Sequence, residues 1–282
     1  MRYLLIFLSS VGLTGLSAQP ATEIWLMDLR RTGSGIHLGN PVNISAHPGY
    51  DNQPSFHPKR PILYYSSARA DGRTDILAYD WKKAATTSVT LTTEREYSPT
   101  VTPDRRHLSC IIQRDNGAQD LGQYPLTGGD ARVLIDNLIV GYHAWLDATR
   151  IIAFVLGQPQ TLRMVDLTTG KDRILADSIG RSIHRIPGTA SVSFVDKSDA
   201  HRWRIRKVNP DLTLGDVALA LPQREDIAWL PDGHLISSDG ERVMILMAGA
   251  DDWQPVPGFT RSGITRIAVS ADGKKLAVVA AE

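Results

Sequence analysis

Apolar residues along this chain gather in short runs that alternate with polar positions, such as Ile62-Leu63-Tyr64-Tyr65, Leu108-Ser109-Cys110-Ile111 and Ile151-Ile152-Ala153-Phe154. Each of these runs follows a turn signature: Phe56-His57-Pro58-Lys59, Val101-Thr102-Pro103-Asp104 and Trp145-Leu146-Asp147-Ala148. The turn returns as Ile186-Pro187-Gly188, Trp229-Leu230-Pro231-Asp232-Gly233 and Val269-Ser270-Ala271-Asp272-Gly273. With Pro58, Pro103, Asp147, Pro187, Pro231 and Ala271 taken as equivalent, the intervals are 45, 44, 40, 44 and 40 residues. A period of roughly 40 to 45 residues with strands in every repeat is the pattern of a β-propeller, one four-stranded blade per repeat. After residue 20 no long segment carries a 3.6-residue period, which argues against helical subdomains.

The two ends of the chain complement each other. An amphipathic strand running into a Gly-containing turn, as in Thr161-Leu162-Arg163-Met164-Val165-Asp166-Leu167-Thr168-Thr169-Gly170, should follow each turn-and-strand copy. The sixth copy stops at Glu282 directly after Leu276-Ala277-Val278-Val279, while a matching element stands at the other end as Glu23-Ile24-Trp25-Leu26-Met27-Asp28-Leu29-Arg30-Arg31-Thr32-Gly33. The N-terminal strands are therefore expected to complete the blade begun by the C-terminal ones. This predicts an all-β, six-bladed ring without exposed sheet edges at the join.

Composition narrows the picture further. Charged residues make up 22% and apolar ones 42%, ordinary values for a globular protein. Lys plus Arg is 31 against 30 for Asp plus Glu, so no charge excess points to nucleic acid or a membrane surface. Met1-Arg2, an apolar stretch from Leu4 to Leu16 and the small residue Ala18 read as a secretory signal over residues 1–18, which leaves 19–282 as a single propeller domain. Export would place the protein in the periplasm or outside the cell. Cys110 is the one cysteine, so no internal disulfide is available; within the strand Leu108 to Ile112 it reads as a small core residue rather than a reactive thiol.

Asn52-Gln53-Pro54-Ser55-Phe56-His57-Pro58, followed by Tyr64-Tyr65-Ser66-Ser67-Ala68-Arg69-Ala70-Asp71-Gly72-Arg73-Thr74-Asp75-Ile76-Leu77-Ala78-Tyr79-Asp80, resembles the TolB-type propeller repeat. The match is good again at Ser98-Pro99-Thr100-Val101-Thr102-Pro103-Asp104, partial at Ala228 to Gly233 and Ala271-Asp272-Gly273, and degenerate near Ile183. The motif specifies a blade. Pro sets φ at the bend, Asp can accept from the backbone two residues ahead, and Gly tolerates positive φ. The aromatic before the turn, Phe56, Trp145 or Trp229, is expected to pack between blades. The resemblance implies a protein or peptide partner at the channel face. TolB itself carries an α/β domain before its propeller, and propeller peptidases add a hydrolase domain with a Gly-x-Ser-x-Gly elbow; neither is expected here, so the chain reads as a bare propeller.

A propeller binds at its channel mouth or across one face, which directs attention to the start of each innermost strand. The residues selected there are Gln53, Tyr97, Tyr142, His143, His184, Asp226 and Arg266. His143 and His184, without a carboxylate in the same register, do not make a metal site, and Asp71 to Asp75 lacks calcium-loop spacing and reads as a hairpin turn. Arg202, Arg204 and Arg206 alternate along one strand face, which reads as a solvated outer-strand surface. Asn43-Ile44-Ser45 fits a glycosylation sequon, a triplet that often arises by chance. The resulting expectation is a monomeric, exported, non-catalytic module that binds a protein or peptide and uses no cofactor or metal. The alternative is a propeller lyase, lactonase or glycan-acting hydrolase with its site in the central channel, since fold does not determine activity.

Overall fold

Short alternating runs cut by Pro, Asp and Gly pair most readily with the next run along the chain, and the result is largely a series of hairpins. The computed structural model describes residues 20–32 and 35–282, and the leader expected over residues 1–18 lies outside the described residues. Twenty-four strands and no helix occur among the described residues, so none of them forms a helix able to cross a membrane. The chain opens with β1 (Thr22–Thr32) and β2 (Gly35–Asn43). Blade one follows as β3 (Asp51–Phe56), β4 (Ile62–Ala68), β5 (Thr74–Asp80) and β6 (Ala85–Ser88). Blade two is β7 (Arg95–Val101), β8 (His107–Gln113), β9 (Gln119–Pro125) and β10 (Arg132–Ile135). Blade three is β11 (Val140–Trp145), β12 (Arg150–Val155), β13 (Thr161–Asp166) and β14 (Lys171–Asp177). Blade four is β15 (His184–Arg185), β16 (Val192–Asp196), β17 (Arg204–Val208) and β18 (Leu214–Leu219). Blade five is β19 (Ala228–Trp229), β20 (Leu235–Ser238), β21 (Arg242–Leu246) and β22 (Gln254–Thr260), and the chain ends with β23 (Arg266–Val269) and β24 (Lys275–Ala281).

Every sheet is antiparallel and four-stranded, and the sixth has the order β2-β1-β24-β23. β1 pairs with β24 from Thr22 opposite Ala281 to Asp28 opposite Lys275, so the N-terminal strands complete the last blade as the complementary ends predicted. Lys275 Nζ adds an ion pair to Asp28 at 2.6 Å across this join. The structure is thus the expected all-β six-bladed propeller.

The core is divided among the six seams. Tyr64, Ile76 and Ala78 of blade one meet Leu108, Cys110 and Ile112 of blade two. Ile24, Leu26, Ala277 and Val279 of the closing blade meet Leu63 and Tyr65 of blade one, and its opposite face packs Met27, Leu38, Leu276 and Val278 on Ile236, Val243 and Ile245 of blade five. The pre-turn aromatics occupy these seams as expected. Phe56 lies in the seam with the closing blade, Trp145 donates to Ser109 Oγ of blade two at 2.9 Å, and Trp229 to Ser193 Oγ of blade four at 2.8 Å. Cys110 is fully buried, and burial pushes its thiol well above the ordinary range, consistent with a packing role.

Turn chemistry is local, as the repeat predicts. Asp104, Asp147 and Asp272 accept from the backbone N–H two residues ahead at 2.9, 2.9 and 3.1 Å. His57 does the same job in blade one: its Nδ1 accepts from the N–H groups of Lys59 and Arg60 at 3.0 and 2.9 Å. Such a histidine must stay neutral, and burial, with Arg60 and Arg105 nearby, holds its pKa down at about 4. Asp71 to Asp75 forms the β4–β5 hairpin, with Asp71 accepting from the Arg73 N–H at 3.0 Å. Asn43 spends its side-chain oxygen on the N–H groups of Ser45 and Ala46 at 3.2 and 3.0 Å, a turn function. The arginine stripe differs in two respects from the expectation: Arg202 lies before the strand, and Arg204 and Arg206 lie on β17, the third strand of blade four rather than the outermost. Asp216 and Asp196 neutralise that stripe at 2.9–3.0 Å.

Candidate functional site

The first strand of each blade lines a central cavity of about 800 Å³. Its walls run from Gln53, Tyr142, Arg181, Asp226 and Arg266 down to the turn residues Pro58, Pro103, Asp147, Pro187, Pro231 and Ala271. The cavity therefore reaches the turn face of the ring, where Phe56, Trp145 and Trp229 contribute to its rim.

At the opposite end the wall is a linked set of charged and aromatic side chains. Arg266 of blade six places its guanidinium 4.7 Å from the ring centre of Tyr142 in blade three, so this stack crosses between opposite blades. Asp226 of blade five lies between two arginines: Arg181 of blade four donates to it at 2.9 Å, and Arg266 stands 3.5 Å away. Glu225 extends the chain of pairs to Arg181 at 3.4 Å and Lys197 at 3.2 Å. Tyr142 is braced edge-on by Phe154 at 5.6 Å. A guanidinium over an aromatic face in a partly desolvated site is worth about 1–2 kcal/mol, enough to hold the bar in place without a direct hydrogen bond.

Of the seven residues picked from the sequence, Tyr142, Asp226 and Arg266 come together in this bar. Gln53 borders the cavity, but its side-chain oxygen is occupied, accepting from the Ser98 N–H at 2.7 Å and Ser66 Oγ at 2.9 Å and so tying blade one to blade two. Tyr97 is not part of the cavity wall; its ring packs edge-on with Tyr50 at 6.3 Å. His143 borders the cavity yet turns into the seam with blade two, where Nε2 meets Ser109 Oγ at 2.7 Å. Burial holds its pKa down at about 3. The Ser109–His143 contact has the reach of a nucleophile–base pair. Ser109 is fully buried, however, and its hydroxyl already receives Trp145 and faces the Thr100 carbonyl at 3.0 Å, so a substrate has no access to it. His184 meets Ser182 Oγ at 2.9 Å; burial, then the Arg266 charge, hold its pKa at about 4 against the opposing pull of Asp226. Among the described residues no group of three His, Cys, Asp or Glu side chains is placed to hold a metal ion.

Arg181 and Tyr50 escaped the sequence reading. Counting six residues back from Pro58 and Pro103 reaches Asn52 and Tyr97, and the same count from Pro187 reaches Arg181, so the repeat did carry that signal. Tyr50 precedes β3 outside the repeat core and left no pattern. Burial pushes its hydroxyl far above the ordinary tyrosine range, against the pull of Arg266.

No protein-family model and no curated protein matches the chain. Solved structures do match. A putative TolB from Agrobacterium tumefaciens superposes with a TM-score of 0.70 at 15% identity, over 93% of this chain and 98% of that one. This is the fold of the TolB propellers. TolB from Acinetobacter baumannii matches with a TM-score of 0.58 at 12% identity, over 91% of this chain and 63% of that longer one. An oligogalacturonate lyase, solved in complex with manganese, matches with a TM-score of 0.60 at 13% identity, over 88% of this chain and 82% of the lyase. At these identities the likeness establishes the fold, and activity must be argued from the site.

Proposed function

We propose that this protein is an exported, non-catalytic propeller that binds a protein or peptide partner at its channel face in the cell envelope. The observation that carries the reading is the cavity itself: about 800 Å³, with prolines and aromatics at the turn face and a donor-rich arginine–tyrosine bar at the other end. A concave site that sets aromatic and proline surface beside convergent polar groups is suited to recognition. The TolB-like fold and the apolar leader pattern of residues 1–18 support partner and location respectively. The test is capture from a native envelope extract by the wild-type protein beside a Tyr142→Phe, Asp226→Asn, Arg266→Gln triple variant. A partner retained by the wild type and lost from the variant is expected; capture of nothing by either would refute the reading.

A second reading, an enzyme acting on a sugar acid or glycan in the same channel, draws on the fold shared with the oligogalacturonate lyase. Turnover of an oligouronide by the wild-type protein, lost in the triple variant, would favour it.

A further inference from the structure

Arg266 is the best-placed unspent donor on the cavity wall. Its side chain is only 14% exposed, yet among the described residues the one ion pair it makes is with Asp226 at 3.5 Å, and no acceptor among them takes a hydrogen bond from its guanidinium. A guanidinium carries five N–H donors in a planar fork, and those of Arg266 are left open to the cavity for a ligand to take. The Tyr142 hydroxyl beneath it likewise has no hydrogen-bond partner among the described residues, while its ring is stacked by Arg266 and braced by Phe154. Around them three of the remaining wall charges are already engaged, with Arg105 near the turn face the exception. Asp147 is tied to Arg150 at 2.7 Å, Arg185 reaches the carbonyls of Leu146 and Thr189, and Arg181 is taken by Asp226 and Glu225. Arg105, Arg181, Arg185 and Arg266 against Asp147 and Asp226 leave the wall two positive charges in excess.

An excess of donors and of positive charge calls for an anionic, acceptor-rich ligand. We propose that the cavity takes its ligand by a carboxylate, which the Arg266 fork grips while the Tyr142 hydroxyl donates beside it. A planar carboxylate matches the guanidinium fork in a bidentate manner. A doubly charged phosphate matches the fork too, but its second charge would sit beside Asp226, 3.5 Å from the same guanidinium. The rest of the ligand extends toward Phe56, Trp145 and Trp229 at the turn face, within a volume suited to a short peptide end or one to two sugar rings. This rests on the channel being the binding site, as proposed above, and specifies what the channel recognises.

The test is a titration of the intact protein, followed by tryptophan fluorescence and calorimetry, with two acid and neutral pairs. Gly-Gly-Phe beside its C-terminal amide probes a peptide carboxylate, and galacturonate beside galactose probes a sugar acid. The expected result is that at least one acid binds tenfold or more tightly than its neutral partner. That preference should vanish in Arg266→Gln, fall several-fold in Tyr142→Phe, and survive in Arg204→Gln on the outer surface. If neither acid outbinds its neutral partner, or the preference survives in Arg266→Gln, the proposal is overturned; the wild-type comparison decides even if a variant misfolds. Capture of a protein partner undiminished by Arg266→Gln alone would overturn it while leaving the binding module standing. Acid preference with no captured protein would sustain it and remove the protein-partner reading alone.

Discussion

Ring closure makes a quantitative prediction about the N-terminal strands. Ile24 is fully buried on β1, in the seam between the closing blade and blade one, packed with Ala277, Val279, Leu63 and Tyr65. Ile24→Ala leaves a cavity in a seam whose two walls are sheets anchored on their other sides, so little collapse is available; a loss of about 3–4 kcal/mol is expected, in the middle of the range for such truncations. Removing residues 22–46 goes much further. It deletes the buried side chains of Ile24, Leu26, Met27, Leu29, Leu38 and Ile44 and strips β24 of its whole β1 register. At about 1.5–3 kcal/mol per buried side chain the six together are worth about 9–18 kcal/mol, comparable with or larger than the total stability of a typical domain, about 5–15 kcal/mol. Urea denaturation followed by tryptophan fluorescence measures both variants. A truncated protein with the wild-type midpoint would refute closure, and an Ile24→Ala loss under 1 kcal/mol would refute the tight seam.

Further expectations concern titration, backbone and thiol. His143 is neutral when folded, with its pKa at about 3 against roughly 6.5 when unfolded, so its contribution is intact above pH 6.5 and stability falls as pH drops, by about 1.4 kcal/mol per unit. His57 and His184, both near 4, act in the same sense; Asp51, pushed up to about 6 chiefly by burial, favours the fold below its unfolded pKa and loses that benefit as pH rises through 6. The His143 share is isolated by His143→Phe, whose stability curve should fall about 3 kcal/mol less between pH 6.5 and 4; parallel curves would contradict the buried neutral ring. Gly258 has φ of +105°, and a Cβ there would stand 1.9 Å from the Leu38 carbonyl oxygen, so Gly258→Ala should destabilise the contact between β22 and β2 by at least 2 kcal/mol; a neutral effect on the denaturation midpoint would exclude that close approach. Cys110 should react with a thiol reagent only at the rate of unfolding, and fast labelling under native conditions would show the blade one to two seam to be open.

The ring was legible because its punctuation is local. Pro58 and Pro103, and the aspartates that accept from the backbone two residues ahead, act within their own turns, so their spacing survives any tertiary rearrangement. Which way a channel residue faces is another matter. Bulges interrupt the register of the innermost strands between Asn52 and Ser55, Tyr97 and Thr100, and Val140 and Tyr142. A one-residue shift sends a side chain to the other face of its sheet, and the third bulge is displaced from the repeat position the first two share, so parity counted from the turn fails there. Past the Val140–Tyr142 bulge ordinary alternation resumes, so His143 faces Ser109 in the seam while Tyr142 beside it meets Arg266 across the channel. Arg181 stands before the two-residue strand β15, where the repeat is degenerate and alternation gives no guide.

The central claim is that this propeller works by binding at its channel, and the affinity of the partner captured from the envelope tests it most directly. Calorimetry would compare the wild-type protein with the Tyr142→Phe, Asp226→Asn, Arg266→Gln variant at matched thermal stability. At least a tenfold loss in the variant is predicted, corresponding to about 1.4 kcal/mol or more of binding free energy. Equal affinity for both proteins would place the partner on another surface and contradict the account.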